Sequence, residues 1–199
     1  MILTIKSFAT KTMPDHSMHT IINKMKACRF ALIAAVFTST SSYAYENISP
    51  TEAYEMAATE PNTYIIDVRS DAEWSWVGHP GVNKQGEGLG LYGKVINVSY
   101  KIFHEDQFVV NPHFANDLNF FFRKNKKIKL ITMCRSGLRS VAAAQALEAD
   151  GYTVVYNMES GFEGGKDANG YRTVNGWKND RLPYIASADS EYDVDRMTK

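Results

Sequence analysis

Within twelve residues, Lys129 to Ser140, the chain passes from an apolar run, Leu130-Ile131-Thr132-Met133, through Cys134 and a Gly/Ser/Arg loop towards a helix-forming stretch. An apolar run this short, stopped at once by turn residues, reads as a buried strand. Val141 to Ala149 is rich in good helix formers, and Gly151 follows Asp150 as a stop signal. Tyr152 to Met158 then reads as another strand. A strand, a short loop, a helix and a second strand commit the chain to parallel pairing, because only a crossover can return it to the same sheet edge.

The remaining pattern agrees. Ser49 caps a helix with Pro50 in its first turn and Glu52 three residues after the cap. Thr63 to Val68 is a strand by its β-branched and aromatic content, Asp71 to Trp76 a short helix, and Val95 to Val98 a small strand. Asn111-Pro112 opens a helix running to about Lys124, whose aromatics Phe114, Phe120, Phe121 and Phe122 are expected in the core. Gly81 to Gly93 and Gly161 to Gly176 read as long inserted loops. The expected fold is α/β, a central parallel sheet with helices on both faces. Ligands in such sheets bind beyond the carboxyl ends of the strands, and Cys134 lies there.

That position has chemical consequences. Successive backbone N–H groups and the positive end of a helix dipole favour an anion, and Arg135 and Arg139 flank the sulfur. A cysteine so placed is expected to react as a thiolate. The alternative is an inert buried cysteine, which two neighbouring arginines disfavour.

At 199 residues and 44% hydrophobic, the chain suffices for one well-buried domain, expected over residues 45–186, followed by a polar tail at 187–199. Residues 1–44 hold five basic side chains against one acid, whereas the remainder holds 17 against 21. The acidic balance of the larger part argues against a nucleic-acid partner. The basic part has its own explanation. Lys24, Lys26 and Arg29 precede the apolar segment Phe30 to Phe37, and Ser42-Tyr43-Ala44 supplies small residues before a cut. This matches a secretory signal peptide with cleavage expected after Ala44 and Met25 as the expected start, so the protein is expected to be exported, to a periplasm, without a stable membrane anchor. Cys28 would leave with the peptide and make Cys134 the sole remaining thiol. An internal disulfide, CxxC redox chemistry and a cysteine-based zinc site are thereby excluded, and no motif calls for a metal or an organic cofactor.

Taken together, these residues resemble the rhodanese family of sulfurtransferases. The match runs from about Ile48 to Tyr184. It comprises Asp67-Val68-Arg69 with Glu73-Trp74 and Gly78-His79, the loop Cys134 to Ser140, and the closing Gly161-Phe162, Trp177 and Leu182-Pro183. The resemblance implies a ping-pong transfer in which Cys134 takes the sulfane sulfur of a donor such as thiosulfate as a persulfide and passes it to cyanide or a thiol. Arg135, Ser136, Gly137, Leu138, Arg139 and Ser140 would bind the anionic donor, and Asp67, Arg69 and Glu73 would form supporting ion pairs. Arg139 could instead pair with a carboxylate at the sheet edge. His79 reads as a hydrogen-bonded structural residue. Cysteine-dependent phosphatases place an arginine after five intervening residues; here Arg139 follows Cys134 after four, a shorter loop suited to a sulfur atom.

Pro80 to Lys94 and Lys166 to Asn175 are longer than the family pattern. They either shape access to Cys134, or dock a protein carrying the sulfur acceptor, or are plain solvated loops. The rival to an enzyme is a non-catalytic rhodanese-like module that binds a partner or carries sulfur without turnover.

Overall fold

Capping chemistry starts the first two helices. In the computed structural model, which describes residues 45–186, Ser49 and Ser70 each accept from the backbone N–H of a glutamate three residues on, and Glu52 and Glu73 accept in return. The expected signal peptide and polar tail lie outside the described residues.

In chain order the elements are β1 (Glu46–Ile48), α1 (Pro50–Thr59), β2 (Thr63–Asp67), α2 (Asp71–Val77), β3 (His79–Pro80), β4 (Val95–Asn97), β5 (Lys101–His104), β6 (Gln107–Val110), α3 (Phe114–Phe121), β7 (Lys129–Met133), α4 (Leu138–Ala149), β8 (Val154–Met158), β9 (Gly165–Lys166), β10 (Arg172–Val174) and β11 (Tyr184–Ile185). A five-stranded sheet runs in the order β1-β8-β7-β2-β4, with every neighbouring pair parallel. The strand that ends at Cys134 is therefore central. Alternate residues of the strands bury into two cores. Ile66 and Leu130 pack with Leu118, Phe122, Ala143 and Leu147, while Ile65, Ile131 and Met133 pack with Ala53, Ala57 and Trp177. Both faces being covered is why these strands read as continuous apolar runs rather than alternating ones.

Several expectations are corrected, beginning with the helix after Cys134, which starts at Leu138 rather than Val141. The helix expected from Asn111-Pro112 to Lys124 spans only Phe114–Phe121, because Arg123 and Lys124 adopt positive φ of 50° and 60° and end it. Phe114, Leu118 and Phe122 recur every four residues and are buried, which leaves Phe120 89% exposed and Phe121 56% exposed rather than in the core. The segment after β4, assigned no element from sequence, is a β5–β6 hairpin whose turn residues Glu105 and Asp106 both have positive φ, a turn more often announced by Asn-Gly. The 161–176 stretch is not wholly loop, since β9 and β10 pair antiparallel within it.

Candidate active site

Cys134 follows the last residue of β7, and Gly137 caps α4 at φ +92°. This left-handed cap turns the loop so that the Gly137 N–H points back at the cysteine, donating to Sγ at 3.2 Å. The Ser140 hydroxyl, fully buried one turn into the helix, is within donating distance of both Cys134 Sγ at 3.5 Å and the Gly137 carbonyl at 3.0 Å, and its single proton serves one of them at a time. The sulfur thus lies at a helix N-terminus among N–H and O–H donors, an environment that stabilises negative charge. Cys134 is only 1% exposed. A narrow approach of this kind restricts which groups can reach it.

A second segment holds the loop from behind. Phe162 N–H donates to the Cys134 carbonyl at 2.8 Å, and Glu163 N–H donates to that of Arg135 at 2.9 Å. Gly161, at φ +58°, passes so close that a Cβ there would stand 2.2 Å from the Cys134 oxygen. Gly161 is a site residue that the sequence reading quoted only as part of a motif. Its signal was a glycine in the turn that follows a strand, three residues after Met158, where close backbone approach is a common reason for having one.

The remaining charged residues form two separate pairs. Asp67 and Arg69 are both fully buried at the carboxyl end of β2. Arg69 Nη2 donates to Asp67 Oδ2 at 2.6 Å and to the Gly78 carbonyl at 2.8 Å, and its Nε reaches Asp67 Oδ1 at 2.9 Å. The guanidinium also stacks 4.3 Å from the centre of the Phe162 ring, so the pair is coupled to the segment behind the cysteine. His79 stacks on Trp74 with ring centres 3.6 Å apart, and its Nδ1 lies 3.0 Å from the Pro80 carbonyl.

Glu73 pairs instead with Arg139, through a two-pronged contact of 2.8 and 2.5 Å across 66 residues of sequence. This is the carboxylate partner that the sequence reading held open for Arg139. With two of its N–H groups engaged, Arg139 offers a donor mainly its positive field, whereas the Arg135 side chain is exposed and in no ion pair among the described residues. Ser136 is half-buried and Leu138 is 81% exposed at the rim. Among the described residues no cluster of metal-ligating side chains occurs.

Partial burial opposes ionisation of Glu73, but the Arg139 hydrogen bonds and the Ser70 backbone N–H outweigh it and hold the carboxyl down to about 2. A folded value below the unfolded one contributes stability that is complete above the ordinary carboxylate range and is lost as pH falls towards 2. The contribution is about 2 kcal/mol once solvent screening of the partly exposed side chain is allowed for. Denaturation midpoints measured between pH 7 and pH 2 are therefore expected to fall less steeply for Glu73→Gln than for the wild type; parallel curves would refute the linkage.

The family model described as "Rhodanese-like domain" matches residues 49–168. An uncharacterised protein of Rickettsia conorii is 34% identical over 141 residues, spanning 70% of this chain and 96% of the relative. A chloroplastic rhodanese-like domain-containing protein of Arabidopsis thaliana is 26% identical over 137 residues, spanning 69% of this chain and 25% of its own. A protein of M. tuberculosis with a solved crystal structure aligns at a TM-score of 0.58 with 34% identity, covering 71% of this chain and 98% of that one.

Proposed function

The chain belongs to the rhodanese-like domain family, and on that premise we propose that it is an exported, periplasmic sulfurtransferase working through a Cys134 persulfide. The Cys134 thiolate attacks the outer sulfur of thiosulfate. A new S–S bond forms as the donor's own S–S bond breaks, and sulfite leaves with the electron pair. Cyanide or a thiolate then attacks the outer persulfide sulfur, taking it as thiocyanate or a new persulfide and restoring the thiolate. The sulfane sulfur moves as a neutral atom in both half-reactions, so the cycle needs no external oxidant or reductant. The observation that carries this reading is the donor cradle around Sγ, with Gly137 N–H at 3.2 Å and the Ser140 hydroxyl at 3.5 Å at the start of α4. The field of Arg139 and the exposed Arg135 side chain assist an anionic donor and the departing sulfite.

The 1% exposure of Cys134 supports a second reading, a non-catalytic module that binds or carries sulfur without turnover. Intact mass of the protein before and after thiosulfate, followed by a cyanide chase, separates the two. A gain of about one sulfur atom that cyanide removes supports transfer. An adduct that cyanide leaves in place supports the carrier, and no adduct with any sulfane donor overturns both.

A further inference from the structure

The inserted segment after β3 is one wall of a cleft. The cleft, of about 450 Å³ and half-open to solvent, lies between residues 83–87 and the closing stretch 178–186. Its walls are preorganised. β11, which supplies Tyr184 to the lining, pairs with β3, and Gly81 N–H donates to the Pro183 carbonyl at 3.4 Å. Asn83 Oδ1 accepts from the N–H groups of Gln85 and Glu87 at 3.1 and 2.9 Å, tying the loop into a compact turn. Trp177 Nε1 fixes the other wall by donating to the Pro183 carbonyl at 2.9 Å.

The lining is basic in a part of the chain that is not. Residues 45–186 carry 15 basic and 17 acidic side chains, yet the cleft collects Lys84, Lys178 and Arg181 against Glu87 alone. Glu87 is already engaged, accepting from Asn83 Nδ2 at 2.6 Å. Lys178 lies over the rings of Phe162 and Tyr184, and neither it nor Arg181 joins an ion pair among the described residues. Such a lining selects anions, and a volume in the range of roughly 300–1,000 Å³ is far larger than one inorganic oxyanion needs. Pro183 and Tyr184 add an apolar wall along which a chain can lie.

We propose that this cleft binds an acidic peptide segment of a partner protein. It adjoins the cysteine loop through a single residue, since Lys178 N–H donates to the Phe162 carbonyl at 3.1 Å and Phe162 N–H donates to that of Cys134 at 2.8 Å. Binding stands on the cleft alone; that the partner donates or accepts sulfur rests on the sulfur-transfer reading above.

The test is fluorescence anisotropy of a labelled hexaglutamate peptide on the full chain at low ionic strength. Saturable binding, weakened at least about tenfold in Lys178→Gln and in Arg181→Asn, is the expected result. Asn tolerates the positive φ of 58° that Arg181 adopts, so the second variant keeps the fold. Absence of binding, binding by both variants as tight as that of the wild type, or displacement by thiosulfate at the concentration of the peptide would overturn the proposal. The tail itself carries Asp189, Glu191, Asp193 and Asp195, and binding seen only after these four are made amides would assign the cleft to the tail and overturn it too. Turnover of thiosulfate with cyanide, followed in the same samples, is expected to be unchanged in both variants. Peptide binding by a protein with no such turnover would leave the cleft standing and sink only the sulfur reading.

Discussion

Cys134→Ala is expected to abolish sulfur transfer and leave the fold standing. The substitution removes the sulfur on which the proposed persulfide forms, the one cysteine sulfur among the described residues, so thiosulfate–cyanide turnover should fall by at least about 10³-fold, as loss of a covalent nucleophile generally does. The mass gain after thiosulfate should vanish with it. Stability should change little by comparison. Cys134 is a small buried side chain packed among Ile66, Leu130 and Ala143, and deleting one sulfur there costs about 1 kcal/mol. Residual turnover near the wild-type rate in a folded variant would show that sulfur does not pass through this residue.

The largest loss of stability is expected at Arg69. Arg69→Met keeps much of the side chain's volume but strips Asp67, which is 0% exposed, of its charge partner. It also removes the donor to the Gly78 carbonyl and the cation over Phe162. Breaking a fully buried pair from one side costs about 3–5 kcal/mol, a large share of the roughly 5–15 kcal/mol that holds a domain together. Urea denaturation should show it as a lowered midpoint. Asp67→Asn combined with Arg69→Met should recover part of the loss, because the uncompensated charge is then gone. A double variant weaker than the single one would mean that the pair matters for packing rather than for charge. Activity should fall with stability, since Phe162 carries both the guanidinium on its ring and the hydrogen bond to the Cys134 carbonyl.

How much of this could be read from the chain depended on the range of the interaction. The Ser49 capping box, the strand before Cys134 and the body of the helix after it are set by neighbours within a few residues and stand where the residues put them, whereas the Ser70 box went unread and the helix starts three residues before Val141. The β5–β6 hairpin went unread because Glu105-Asp106 is an unusual pair for a turn with two positive φ angles. Phe120 and Phe121 were misplaced because a cluster of aromatics suggested a core, when only the fourfold recurrence of Phe114, Leu118 and Phe122 faces it. At the site, the cysteine and its loop were legible. Gly161 as the backbone that closes behind that loop was not.

The sequence by itself determined a parallel α/β sheet with a cysteine at the carboxyl end of a buried strand and a helix opening beside it. Those features follow from hydrophobic periodicity and from capping, both local. Only the tertiary structure decided that Arg139 turns to Glu73, that Cys134 is almost fully covered, and that residues 83–87 meet residues 178–186 around a basic cleft. The physical reason is common to all three. Which partner a long charged side chain finds, and how far a loop is covered, depend on groups tens of residues away whose distance is set by packing.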